Sequence, residues 1–298
     1  MPADPYRVAP RTMLLAQRQR AESRYLRALR RIFRQIRQAI ASAVTPAAAA
    51  RALLQIAASP QFDTLCREAA RQMVTQLAVG QRSTWRAAAA ASGQGRRIYR
   101  ALMSELARTG TGQAVSQIVQ QNAQLIRTVP TQLAGRITDL VKQRRFEGFR
   151  PEDIMQEVRK MAPHLTDVEA RRIARTESSK ASTALVQARA EALGLDFYIW
   201  RTARDGERVR SSHRMMEGVI CRWSDPPDPE GMAGERSYGA YHPGGIFNCR
   251  CIALPVIAPE DIEFPAKIHV SGKVEVIASV RKFRDRFGIS GRQGESVR

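Results

Sequence analysis

Five side chains of this 298-residue chain offer donor atoms suited to a soft or borderline cation: His213, Cys221, His242, Cys249 and Cys251. Structural zinc takes four such sulfur and nitrogen ligands, and a small region with a long loop gains most from a clip of this kind. The best set is His213, Cys249 and Cys251, with His242 or Cys221 as the fourth ligand. The Cys249-Arg250-Cys251 pair is expected to need a bend in the backbone before both sulfurs meet one ion. A second reading stands beside the zinc clip: the thiols are small buried residues, and His213 is hydrogen-bonded within the core. A disulfide across one intervening residue would be strained.

Acid–base chemistry has fewer carriers. Glu177, in the run Arg175-Thr176-Glu177, would be a general base in a catalytic reading. The competing expectation is an ion pair from Glu177 to Arg201 or Arg210, tying a helix to a hairpin. His213, with Asp205 nearby, raises the idea of nuclease chemistry, but no second histidine stands at a recognisable spacing. The chain contains no phosphate loop, dinucleotide fingerprint or nucleophile elbow.

The elements that would position these residues read as follows. A helix is expected from about Thr12 to Ala43, with Tyr25, Leu29, Ile32, Phe33 and Ile36 on one face. Arg20, Arg24, Arg27, Arg31 and Arg34 fall on the opposite face, with Arg30 and Arg37 on its flank. Pro46 opens a second helix to Ala58. A third runs over 61–79 and stops at Gly80, with 81–92 as an extension and a break at Gly93 and Gly95. Helical pattern returns over 97–107, Thr109–Gly112 is a loop, and Pro130 divides a helix over 113–127 from one over 131–147. Pro151 starts a helix to 161. Thr166 and Glu169 have the form of a capping box for a long helix that Gly194 stops.

After Gly194 a strand is expected at Asp196–Trp200, with a hairpin turn at Asp205-Gly206 leading into 208–210. Residues 222–248 read as one long loop, and Cys251–Val256 as a short strand. A strand near 268–277 and a basic helix near 278–287 complete the pattern. The fold class is therefore α+β: a mainly helical N-terminal region, then a small domain with a long helix, a β-hairpin and a long loop closed by Cys-x-Cys. The expected divisions are a basic all-helical region (1–130), the small α+β domain (131–257) and a basic tail (258–298).

Charge bears on partners. The net charge is +20, and residues 1–100 hold 18 arginines, no lysine and four acidic residues. That is +14, against +6 for the other 198 residues. Such asymmetry points to a polyanion or an acidic partner for the first third. A solvated face, or the codon bias of a GC-rich genome, is the bland alternative. Aromatics make up only 6% of residues, so the core must be mostly aliphatic. No signal segment or run of about 18 apolar residues appears, so a reducing cytoplasm and no membrane contact are expected. Under those conditions clustered cysteines favour metal or free thiol over disulfide.

The order Ala174-Arg175-Thr176-Glu177, Gly194, Trp200, Asp205, Arg210, His213, Gly218, Pro243 and Asn248-Cys249-Arg250-Cys251 resembles the phage Mu F-like (gp7-like) minor head proteins. The resemblance covers roughly 120–255. It implies a head-morphogenesis protein of a tailed phage or prophage, found in the virion and, during assembly, in the host cytoplasm. The implied partners are a portal protein, packaged DNA and other head proteins or scaffold. It also implies structural rather than catalytic roles for Arg175, Glu177, Trp200, Asp205, Arg210, Gly218 and Asn248. The alternatives are a nuclease or toxin-like transferase using His213 and Glu177, and a DNA-binding regulator of low sequence specificity.

Overall fold

The structure is a computed structural model that describes residues 9–91, 109–203 and 209–289. Asp205, the expected turn at Asp205-Gly206 and the expected helix over 97–107 lie outside these residues. So does the expected break at Gly93 and Gly95.

The described residues gather into two compact units, one drawn from 18–77 and 113–181, the other from 9–17, 78–91, 109–112, 182–203 and 209–289. Helices α1 (Ala9–Ser42), α2 (Pro46–Ala58), α3 (Pro60–Ala91), α4 (Thr109–Phe146) and α5 (Pro151–Ala192) supply the first unit and part of the second.

In the helical unit, Tyr25, Leu29, Ile32, Phe33, Ile36 and Ile40 of α1 are buried, as their 3.6-residue spacing requires. Arg20, Arg24, Arg27, Arg31 and Arg34 are all exposed. The flanking arginines have local work instead: Arg30 donates to Asp167 at 2.8 Å and Arg37 to Thr166 at 3.2 Å. Thr45 caps α2 by accepting from the Ala48 N–H, with Pro46 at the first helical position.

Several expected breaks are absent. Gly80 lies inside α3; a Cβ there would come within 3.2 Å of Gln17 Cγ, so this glycine serves a close approach rather than a stop. Thr109–Gly112 begins α4 instead of forming a loop, and Pro130 sits within that helix. Ile126 and Val129 before it and Leu133, Ala134 and Ile137 after it form one buried stripe, which holds the helix through the proline. Pro163 likewise lies inside α5. It is exposed, so the carbonyl that loses its helical partner is not trapped in the core. Thr166 is therefore no N-cap: its hydroxyl bonds back to the Ala162 carbonyl at 2.9 Å. Helix α5 does end as expected. Gly194 has φ +67°, and the Leu195 N–H reaches the Ala190 carbonyl while the Gly194 N–H reaches that of Glu191. These two bonds make a Schellman stop.

The second unit is built on a five-stranded sheet, ordered β3-β1-β2-β4-β5. Its strands are β1 (Phe197–Arg201), β2 (Ile220–Arg222), β3 (Ile252–Pro255), β4 (Ala266–Val270) and β5 (Lys273–Ile277). Short helices α6 (Ser211–Met215) and α7 (Pro229–Met232) lie in the connections, and α8 (Val280–Phe287) follows β5. Strand β1 pairs antiparallel with both β2 and β3, β2 pairs parallel with β4, and β4 and β5 form a hairpin. The expected hairpin partner of β1 at 208–210 is replaced. Residues 209–210 are not strand, and the chain returns to β1 only at Ile220, after α6 and a turn at Gly218.

Phe197-Tyr198-Ile199-Trp200 is apolar without alternation because β1 is central and covered on both faces. Phe197 and Ile199 join Ile220, Ile252, Leu254, Ile268 and Phe283 on one side. Tyr198 and Trp200 join Trp85, Val186, Cys221, Cys249, Cys251 and Ala253 on the other. The candidate ligands therefore belong to the second of these cores.

Candidate metal centre

His213 lies on α6, Cys249 in the loop before β3, and Cys251 one residue ahead of that strand. Their donor atoms all fall within 4.8 Å of one another. His213 Nδ1 is 3.6 Å from Cys249 Sγ and 3.4 Å from Cys251 Sγ. A tetrahedral zinc with bonds of about 2.3 Å to sulfur and 2.0–2.1 Å to nitrogen sets those atoms about 3.6 Å apart. Both nitrogen–sulfur distances thus suit neighbouring corners of one tetrahedron around a single ion. All three residues are buried, at 2%, 4% and 2% exposure in sequence order.

The local backbone makes this convergence possible. Residues two apart in an extended segment share a face, so the expected need for a bend between the two cysteines falls away. The bend comes earlier, at Asn248, which adopts φ +56°, a region that asparagine tolerates better than most residues. The Gly244 and Cys251 N–H groups both donate to Cys249 Sγ, at 3.3 and 3.4 Å. Cys251 beside it holds the Cys249 thiol well below its usual range, against the opposing effect of burial.

Behind the imidazole stands a polar group that the sequence did not single out. His213 Nε2 is 2.8 Å from the Tyr241 hydroxyl and 3.4 Å from Glu230 Oε1. The Tyr241 hydroxyl donates to Glu230 Oε2 at 2.5 Å, and Ser212 donates to Oε1 at 3.4 Å. Burial and the Glu230 carboxylate push the Tyr241 pKa up, which keeps its hydroxyl proton in place. Glu230 is 2% exposed. It enters the core because Asp228 caps α7 and Pro229 takes the first helical position. The only signal in the sequence was that Asp-Pro capping pattern; burial of the next residue was not readable.

His242 and Cys221 are not part of this set. His242 Nδ1 is 3.0 Å from the Tyr198 hydroxyl, and its ring packs edge-on against Trp223. Burial lowers its pKa to about 4. Cys221 lies beside Tyr198 as well, with its thiol pushed up to about 12 by burial. The fourth-ligand expectation fell one residue from the group in use: Tyr241, not His242, faces His213.

The other motif residues have structural surroundings. Trp200 is fully buried, with its ring 5.5 Å from that of His213 at 77°. Gly218 adopts φ +80° and donates its N–H to the Trp200 carbonyl at 2.9 Å. Arg210 donates to the Phe247 carbonyl at 3.1 Å and lies over the Phe247 ring. Arg175 faces Glu22 at 3.6 Å. Glu177 pairs with Lys180 at 3.6 Å, while Arg201 pairs with Glu217 at 3.5 Å. At the end of β1, Glu217 accepts from both the Thr202 N–H and hydroxyl.

The residues that build this centre lie within the stretch matched by the family model described as phage Mu protein F like protein, which covers residues 135–254. That stretch, which runs from the last third of α4 into β3, is similar to this family. A protein of Haemophilus influenzae (strain ATCC 51907 / DSM 11121 / KW20 / Rd), described as uncharacterized, is 34% identical over 143 residues. The alignment covers 48% of this chain and 29% of that relative, so the chain spans under a third of its length. No solved structure matches. No helix among the described residues is long and apolar enough to cross a membrane.

Proposed function

We propose that this chain is a minor head protein of a tailed phage or prophage, acting in head morphogenesis at the portal without catalytic turnover. The observation that carries the reading is the Mu F-like match over 135–254, which encloses His213, Cys249 and Cys251 in a buried cluster. In this reading the cluster is a zinc site that ties α6 to the start of β3, with three protein donors and a fourth position left for another ligand. The exposed arginines of α1 meet packaged DNA or an acidic face of a partner. Co-expression with a portal protein from the same phage or prophage tests the assembly role. Stable co-purification and impaired head formation on deletion are expected; normal heads without the protein would refute it.

A second reading has one specific observation in its favour. Cys249, His213 and Glu230 fall in the order of a thiol–imidazole–carboxylate relay, and the Cys249 thiol is lowered. Two features weigh against a nucleophile. The sulfur is buried at 4% exposure, and two backbone N–H groups point at the sulfur itself rather than at a space where an oxyanion would form. Amide donors on sulfur suit a ligand thiolate. An assay for nuclease or transferase turnover, with His213→Ala as control, separates the two readings.

A further inference from the structure

We propose that Glu230, acting with Tyr241, is the positioning residue that fixes His213 with its proton on Nε2 and its Nδ1 lone pair towards Cys249 and Cys251. The consequence for metal affinity rests on the zinc reading above; the proton placement itself does not.

The Tyr241 hydroxyl carries one proton and lies 2.5 Å from Glu230 Oε2 and 2.8 Å from His213 Nε2. A carboxylate only accepts, so the hydroxyl proton goes to Glu230. The lone pairs of the hydroxyl oxygen are left for the imidazole, and Nε2 must donate to them. A neutral imidazole has one N–H, so Nδ1 is left as the acceptor. Glu230 Oε1, 3.4 Å from the same Nε2, reinforces the polarity. Nδ1 is also the nitrogen 3.4 and 3.6 Å from the two sulfurs.

The carboxylate is itself held from three segments. Ser212 of α6 and Tyr241 of the long loop both donate to it, and α7 carries it. A buried carboxylate with these donors is a fixed wedge behind the ring. Its chemical class is the outer-shell acceptor that orients a metal-bound imidazole and raises its basicity. Trp200, edge-on to the ring at 5.5 Å, limits rotation from the side.

The test uses the full chain, reduced and metal-free, with ¹⁵N-labelled histidine. Long-range ¹H–¹⁵N correlations should show His213 as the Nε2–H tautomer in the wild type. Mixed tautomers should appear in Tyr241→Phe and in Glu230→Leu. Zinc titration against a competing chelator should show affinity reduced about 10–100-fold in Glu230→Leu. Glu230→Gln, whose amide oxygen still accepts, should restore most of it. If Glu230→Leu does not fold, Tyr241→Phe and Glu230→Gln carry the comparison. An Nδ1–H tautomer in the wild type would overturn the proposal. So would a tautomer and zinc affinity unchanged in both Tyr241→Phe and whichever Glu230 variants fold. A wild-type protein with the Nε2–H tautomer that takes up no zinc would support the positioning role and defeat the zinc reading instead.

Discussion

Cys251 Sγ lies 3.4 Å from His213 Nδ1, although 38 positions separate the two residues in the chain. The segment between them holds α6, β2, α7 and the long loop that the sequence marked as needing a clamp. A metal at this junction would bind the folded chain and not the unfolded one, so its binding energy adds to folding. Purified protein is expected to carry about one zinc per chain. Chelation should lower the melting temperature, and excess zinc at a hundred times its Kd should return about 2.7 kcal/mol. Cys249→Ser and Cys251→Ser should each abolish the response to chelator. Identical melting curves with and without chelator, at full metal removal, would refute the clip.

His242 gives a pH dependence with a definite sign. Burial lowers its folded pKa from 6.5 to about 4. As pH falls below 6.5 the unfolded chain takes a proton that the folded chain refuses. The contribution is therefore fully present above the unfolded value and is lost as pH falls towards 4. Thermal melts between pH 7 and 4.5 should show stability declining over this window. His242→Gln should decline less steeply, because the titrating group is gone. Equal slopes for the two proteins would contradict the buried, neutral state of this ring.

The helical face of α1 was legible because a 3.6-residue stripe leaves its mark in residue type: Tyr25, Leu29, Phe33 and Ile36 are buried, and Arg20, Arg24, Arg27, Arg31 and Arg34 are exposed. The Gly194 stop was legible for a similar local reason. The continuity of α4 through Pro130 and of α5 through Pro163 was not, because local propensity was overridden by burial stripes that continue across each proline. At the candidate site, residue chemistry identified His213 and the two cysteines. It could not identify Glu230 or Tyr241, since a glutamate in a Pro- and Gly-rich stretch reads as solvated until the fold buries it. The partners of β1 were missed for the same reason: strand pairing here spans α6 and the long loop, and such pairing leaves no periodic trace.

Gly194→Ala tests the end of α5. The position has φ +67°, where a Cβ costs about 1–2 kcal/mol. Nothing lies within 4 Å of a Cβ built there, so the cost is backbone strain and not a clash. The variant is expected to fold, with a denaturant midpoint lower by that amount and an unchanged m-value. Gly112→Ala, in a helix with open space around it, is the matched control and should be neutral or stabilising.

The arginines of α1 separate into two groups with different expected phenotypes. Arg20, Arg24, Arg27, Arg31 and Arg34 are exposed, so replacing them with glutamine should leave the helical unit folded. Arg30 and Arg37 bond to Asp167 and Thr166, so the same change there should affect stability first. If the exposed stripe contacts DNA, the wild type should bind duplexes of unrelated sequence with similar affinity, and log K should fall linearly with log salt. Each phosphate contact removed should lower that slope by about 0.9. The five-fold glutamine variant should therefore lose several units of slope and most of its affinity at low salt, while Arg30→Gln keeps the wild-type slope. A five-fold variant with an unchanged slope would show that the stripe is a solvated face. Retained portal co-purification in that variant would then place the assembly contact elsewhere on the chain.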